Sequence, residues 1–322
     1  MELAPTSAWA RARLAQVLRN AGSYAEAEAE FHKAIRLDPT WAVPHKGLGV
    51  LYSRQGENAK ALLEFEKAAF LDTSYAFPHV YLSILYRQQD KQDLAVGQLK
   101  KAIRIDPNDA DLHQRLARLL WDNEEAALEE FQKAIALEPD WDHPRLWLAS
   151  FLYDHGKVDE SIAELEVILD RDPENNTALN NLCGNLAFSG RYEEALPHLH
   201  KAICLYPEDA AFRLMLGYVY YHLERYDESA AEYEEACRLE PTWPFAHNDL
   251  GWAYLKLEEY EKAREQFEKA KELSGPGEDA YEEAEENLEK LKSLMDEGSR
   301  DAAPHEFANL RSNSQDNPFP LR

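Results

Sequence analysis

The sequence repeats itself. A leucine recurs at Leu14, Leu48, Leu82, Leu116, Leu148, Leu182, Leu216 and Leu250, in steps of 34 residues with one step of 32. That spacing divides the chain into units 8–41, 42–75, 76–109, 110–141, 142–175, 176–209, 210–243 and 244–277. A period of this length marks one supersecondary unit that cannot bury its own apolar face and must stack on its neighbours. The 322 residues therefore need no pair of large globular cores. Hydrophobic residues make up 45% of the chain, enough for a continuous core.

Other positions keep the same register. After each leucine comes a small residue: Ala15, Gly49, Ser83, Ala117, Ala149, Cys183, Gly217, Gly251. A second small site follows at Ala27, Ala61, Ala95, Ala127, Ser161, Ala195, Ser229 and Ala263, and four residues later a large apolar one, from Phe31 and Phe65 to Tyr233 and Phe267. Apolar residues at three- and four-residue steps mark helix faces. Small residues let two helices approach, and the large ones fill the space beside them. Units close on Pro39, Pro107, Pro139, Pro173, Pro207 or Pro241, which cannot continue a helix. Stretches such as Gly22-Ser23-Tyr24 and Gly190-Arg191-Tyr192 fall between the two helices of a unit.

Over residues 8–277 this pattern resembles the tetratricopeptide repeat family. The resemblance implies an all-α fold, a right-handed α-solenoid of helix–turn–helix repeats, with first helices lining a concave groove and second helices outside. It implies binding of peptides or protein partners. The fourth unit lacks two residues between Leu120 and Ala127, so either its turn is tight or its first helix is short. After Gly275-Pro276-Gly277 an amphipathic segment, 278–297, is expected to form the capping helix that a terminal repeat needs, with Tyr281, Ala284, Leu288, Leu291 and Leu294 on one side. Residues 298–322 lack periodicity and are expected to be disordered.

The formal net charge is −25, which repels phosphate backbones and anionic lipid, so neither nucleic acid nor a membrane is expected as partner. Three cysteines, Cys183, Cys204 and Cys237, form no CxxC pair and predict a reducing compartment. No signal-like run opens the chain and no 18-residue apolar stretch occurs, so membrane insertion is not expected and the location is read as cytoplasmic.

Chemistry-bearing patterns are weak. His45, His79, His113 and His247 all stand fourth in their units, where they are expected to pack between helices. No metal-ligand spacing, phosphate loop or nucleophile motif accompanies them. Acidic pairs such as Glu129-Glu130 and Glu234-Glu235 read as solvated second-helix faces. No cofactor and no enzymatic activity are expected.

The family resemblance places the second, fifth, sixth, ninth, twelfth and thirteenth residues of each unit on the groove. The expected groove residues are Arg13, Lys46, Arg54, Tyr81, Arg87, Arg115 and Arg118 in the N-terminal half, with Arg19 beside them and Asp111 opposing. In the C-terminal half they are Trp147, Asn181, Tyr218, Tyr221, Asn248 and Trp252. Arginine and exposed aromatics dominate binding hot spots. The expected function is an interaction adaptor that takes an acidic and aromatic protein or peptide segment in this groove. Two alternatives stand beside it: a self-assembling homo-oligomeric scaffold, and a non-catalytic repeat subunit of a larger enzyme complex such as a glycosyltransferase. Subgroup motifs are incomplete. Lys46 is followed four residues on by Val50, where the carboxylate clamp of chaperone-binding members has asparagine. Only Asn181 matches the asparagine ladder of glycosyltransferase repeats.

Overall fold

The computed structural model describes residues 7–298. Seventeen α-helices and no strand occur among them. The chain divides into two compact units, Met1–Trp147 and Leu148–Arg322. The tail expected to be disordered, 298–322, lies outside the described residues from 299 onward.

The first unit contains α1 (Ala8–Asn20), α2 (Tyr24–Leu37), α3 (Ala42–Arg54), α4 (Asn58–Leu71), α5 (Ala76–Arg87), α6 (Gln92–Ile105), α7 (Ala110–Leu119) and α8 (Glu124–Leu137), and it ends within α9 (Asp142–Asp154). From α1 to α8 each helix packs on the next, and α1 also touches α3. The second unit contains the rest of α9, then α10 (Val158–Arg171), α11 (Asn176–Phe188), α12 (Tyr192–Leu205), α13 (Ala210–His222), α14 (Tyr226–Leu239), α15 (Pro244–Lys256), α16 (Tyr260–Leu273) and α17 (Asp279–Gly298). Both units are all-α and built from helix–turn–helix repeats in solenoid order. The capping helix α17 packs on both α15 and α16. It buries Ala280, Ala284, Asn287 and Leu291, while Leu288 and Leu294 are partly buried against the same core.

The small and large positions meet inside each repeat. A Cβ added at Gly49 would lie 2.7 Å from the Phe65 ring, and one at Gly217 or Gly251 2.6 Å from Tyr233 or Phe267. Phe31, Phe65, Phe131, Tyr233 and Phe267 are fully buried. Each such burial is worth about 1.5–3 kcal/mol relative to exposure. Where the second small residue is serine, its hydroxyl donates to a carbonyl of the preceding helix: Ser161 to Ala149 at 2.6 Å and Ser229 to Gly217 at 2.8 Å.

The turn between paired helices uses one left-handed residue. It is Gly22, Gly56, Gly156 or Gly190 in four repeats, and Asp90, Glu224 or Glu258 in three. That conformation costs an L residue roughly 1–2 kcal/mol, which is why glycine predominates. The fourth repeat has no such residue. Its first helix, α7, has 10 residues against 13 in α1 and α3. The two-residue deletion is thus absorbed by the helix, and the α7–α8 connection still spans residues 120–123.

The fourth-position histidines do pack between helices, and the partners correct the reading of the acidic residues. His45 Nδ1 lies 2.6 Å from Glu64, His113 Nδ1 2.5 Å from Glu130, His79 Nδ1 2.7 Å from Gln98 and His247 Nδ1 2.8 Å from Gln266. Arginine takes the same place in Arg11–Glu30 at 3.0 Å and Arg213–Glu232 at 2.8 Å. Glu30 and Glu64 are buried, and the Glu130 side chain is only 12% exposed. Glu130 therefore ties its helix to the preceding one and is not part of a solvated face.

Candidate partner-binding surfaces

The first helices of the first unit are strongly net positive. The first helices of its repeats, α1, α3, α5 and α7, carry Arg11, Arg13, Arg19, Lys46, Arg54, Arg87, Arg115 and Arg118 against one acid, Asp111. The second helices are mixed: they carry ten carboxylates, among them Glu26, Glu28, Glu30, Glu64, Glu66, Glu129 and Glu130, together with eight lysines and arginines. Arg11 and Arg115 have ion-pair partners in Glu30 and Asp111. The other six cations have none among the described residues, although the chain holds 60 carboxylate side chains.

These cations form two clusters. In the first, burial and then Arg54 hold the Arg19 guanidinium below the ordinary arginine range, and burial and then Arg19 do the same to Lys46. The Lys46 ammonium lies 4.5 Å from the Phe77 ring centre, a cation–π contact. Tyr81 stacks between Phe65 and Phe77 at 4.9 and 4.6 Å. At the far end of α1, Arg13 lies 5.5 Å from the exposed Trp9 ring and donates to Gln16.

The second cluster rims a cavity of about 70 Å³ lined by Val80, Ser83 and Ile84 of α5, Leu99 of α6, and Arg115 and Leu119 of α7, together with Arg87 and Arg118. Arg115 Nε donates to Asp111 at 2.5 Å. The Arg118 guanidinium lies 3.7 Å from the Trp147 ring centre, and Trp147 meets Trp121 edge-on at 6.4 Å.

The second unit presents rings instead. Tyr218 lies 5.2 Å from Phe188, 4.3 Å from His222 and 6.4 Å from Tyr192, and Tyr221 lies 5.5 Å from His222 and from Tyr226. Among the described residues no group of histidine, cysteine, aspartate and glutamate is placed to hold a metal ion. No described helix is long and apolar enough to cross a membrane.

Tetratricopeptide repeat family models match residues 8–41 and 244–275, 122–186, and 185–245. The chain belongs to the tetratricopeptide repeat family. Repeats of this family are protein–protein interaction modules, and the chain is a repeat protein of that kind. Solved structures agree on the fold. A tetratricopeptide repeat protein from Parabacteroides merdae aligns with a TM-score of 0.54 at 16% identity, over 76% of this chain and 98% of that one. Yeast Tom70 aligns with a TM-score of 0.57 at 20% identity, over 86% of this chain and 62% of its own. A chain of the APC/C hetero-tetramer Cut9–Hcn1 aligns with a TM-score of 0.50 at 18% identity, over 83% of this chain and 52% of that one. No curated protein sequence matches the chain significantly.

Within this tetratricopeptide repeat protein the expected groove residues separate into two classes. Arg13, Lys46, Arg54, Tyr81, Arg87, Arg115, Arg118 and Trp147 stand in or beside the two cationic clusters, at least partly exposed. Tyr218 and Tyr221 are half-buried in the ring cluster. Three others are core. Asn248 is 1% exposed because α17 covers it, and its Oδ1 accepts from Asn287 Nδ2 at 2.8 Å. Trp252 packs edge-on to Phe267, 6.0 Å between centres, and Asn181 is buried too. These three are corrected from groove to interior, since position in the repeat says nothing about what covers the face. Reading for charge and rings also passed over Val80 and Ile84. Both occupy groove positions of the repeat, and their apolar character was the available signal.

Proposed function

We propose that the protein is a non-catalytic adaptor that binds an acidic segment of a partner protein along the first-helix surface of its first unit. The observation that carries this reading is the set of six cations, Arg13, Arg19, Lys46, Arg54, Arg87 and Arg118, without ion-pair partners among the described residues, in a chain of net charge −25. Intramolecular pairing would have been easy to supply, and the second helices show it repeatedly, as in Lys33–Glu30 and Lys67–Glu64. Rings beside the cations, Phe77, Tyr81 and Trp147, add apolar contact area, so the segment is expected to carry aromatic or aliphatic residues as well.

The test is affinity capture from the native cell extract. It uses wild type, a triple variant Arg19→Gln, Lys46→Gln, Arg54→Gln, and a second-helix control Lys100→Gln, Lys101→Gln. A protein captured by wild type and control, and lost with the triple variant, supports the reading. The same proteins captured by all three overturn it.

Self-association is a second reading with its own observation. Leu14 is 44% and Val17 65% exposed, whereas Leu48, Leu82 and Leu116, equivalent to Leu14, are at most 2% exposed. The α1 face is therefore apolar and uncovered among the described residues. Sedimentation of wild type against Leu14→Glu, Val17→Glu separates the readings, because only self-association predicts a mass that rises with concentration and falls on substitution.

A further inference from the structure

We propose that the cavity between α5, α6 and α7 is an anion-anchoring subsite. It would seat one carboxylate or phosphate group on Arg87, Arg115 and Arg118, with the short apolar stem of that group resting on Val80, Ile84 and Leu119. The subsite deepens the adaptor reading and rests on it for the source of the anion, a peptide chain.

Three guanidiniums share this cavity with one nearby carboxylate, Asp111. Asp111 is engaged by Arg115 Nε at 2.5 Å, so the terminal nitrogens of Arg115 remain for another acceptor. Arg118 is held in place without a counter-ion. Its guanidinium lies over the Trp147 ring at 3.7 Å, and Trp147 is itself braced by Trp121. Stacking uses the face of the guanidinium and leaves its edge donors for a planar or tetrahedral anion. A donor already fixed in position loses less entropy on binding. Burial, then Arg87 and Arg115, hold the Arg118 guanidinium below its ordinary range, with Asp111 opposing. An anion would relieve that mutual repulsion.

The shape points to the same class of ligand. The floor is apolar and closed: Leu99 is 2% and Leu119 7% exposed. A volume of about 70 Å³ exceeds what a single water needs and suits a small charged group with a few carbons.

The experiment is nuclear magnetic resonance of the arginine Nε–Hε groups in the full chain. The probes are inorganic phosphate and isobutyrate, titrated at constant ionic strength against chloride. Saturable shifts are expected for Arg87, Arg115 and Arg118, and Arg104, exposed on α6, should not saturate. Arg118→Gln should abolish saturation, and the exposed Arg87→Gln should weaken it. Both variants are checked for folding by thermal melting, and Arg104→Gln should change nothing. Blocked peptides Leu-Glu-Leu and Leu-phosphoserine-Leu, and Leu-Gln-Leu with a free C-terminus, then identify the source. One of them should bind about tenfold more weakly to Arg118→Gln. Linear shifts equal to those of Arg104 overturn the subsite. Saturation by phosphate and isobutyrate with no peptide bound supports the subsite and removes the adaptor reading. Peptide binding that depends on Arg19, Lys46 and Arg54 but not on Arg118 or Arg87 keeps the adaptor reading and overturns the subsite.

Discussion

Gly47→Ala tests whether the missing side chain at Gly47 is what lets α3 approach α2. Gly47 lies on α3 against α2 of the preceding repeat. A Cβ there would lie 2.3 Å from Cε1, 2.4 Å from Cζ and 2.9 Å from Cδ1 of Phe31. Phe31 is 0% exposed and packed among Ala15, Ala27, Leu48 and Leu51, so its ring has nowhere to go. Overpacking a core costs about 1–3 kcal/mol, and contact this short belongs at the upper end. Alanine recovers about 1 kcal/mol over glycine in a helix interior. The expected net loss is about 1–2 kcal/mol. Gly97, inside α6, has nothing within 4 Å of its would-be Cβ. Gly97→Ala should therefore stabilise by about 0.5–1 kcal/mol. The same chemical change at two helix interiors should thus differ by about 1.5–3 kcal/mol. Urea denaturation measures the difference, and hydrogen exchange should place the loss of Gly47→Ala in α1 to α4, because repeats open locally. Phe31→Leu should cost less in the Gly47→Ala background than in wild type, a coupling of about 0.5 kcal/mol or more. Equal stability of the two alanine variants, or no coupling to Phe31, would refute the steric argument.

Three further predictions concern buried groups. Burial pushes the Glu64 carboxyl up, but hydrogen bonds from His45 and Lys67 outweigh it and hold it below its ordinary value of 4.5. A depressed carboxylate contributes stability that is present above the unfolded-state value and lost as pH falls through the folded one. Wild type should therefore lose more stability than Glu64→Gln between neutral pH and about pH 3.5, as read by urea midpoints; equal losses would remove Glu64 from the acid response. Burial pushes the Cys183 and Cys237 thiols up to about 12, while Cys204 is exposed, so a thiol reagent should count one reactive cysteine in the native protein and three in urea. Asn287→Ala should cost about 1–3 kcal/mol by leaving the Asn248 amide unsatisfied and should speed hydrogen exchange in α17; unchanged exchange there would show that the amide pair does not hold the helix.

What the sequence discloses and what it hides follow from the range of the interactions. The Gly49–Phe65 and Gly251–Phe267 contacts recur at one spacing in repeat after repeat, so local periodicity reveals them. The cations of α1 to α7 were legible as residue types on first helices. Their lack of partners was not, because pairing depends on which side chains on neighbouring helices come within reach. Asn248 was misread for the same reason: its cover, Asn287, is 39 residues away on a helix whose docking geometry no motif encodes. Glu130 looked solvated because Glu129-Glu130 reads as one charged pair. Only the helix phase shows that the second residue turns inward to His113 while Glu129 remains 65% exposed.

A net charge of −25 and an acidic partner appear incompatible, and the distances resolve the difficulty. Screening limits exposed charges to about 10 Å at 0.1 M salt, but to about 30 Å at 0.01 M. An approaching acidic segment therefore meets the whole negative molecule at low salt. At moderate salt it meets mainly the charges nearest it, which on the first helices of the first unit are arginines and lysine. Those cations are also partly desolvated, as burial of Arg19, Lys46 and Arg118 shows, so their short-range contacts survive screening better than the distant repulsion does. In the adaptor we propose, the net-positive first helices of the first unit would therefore select by contact, with arginine planes and rings fixing which anion and which apolar neighbour fit.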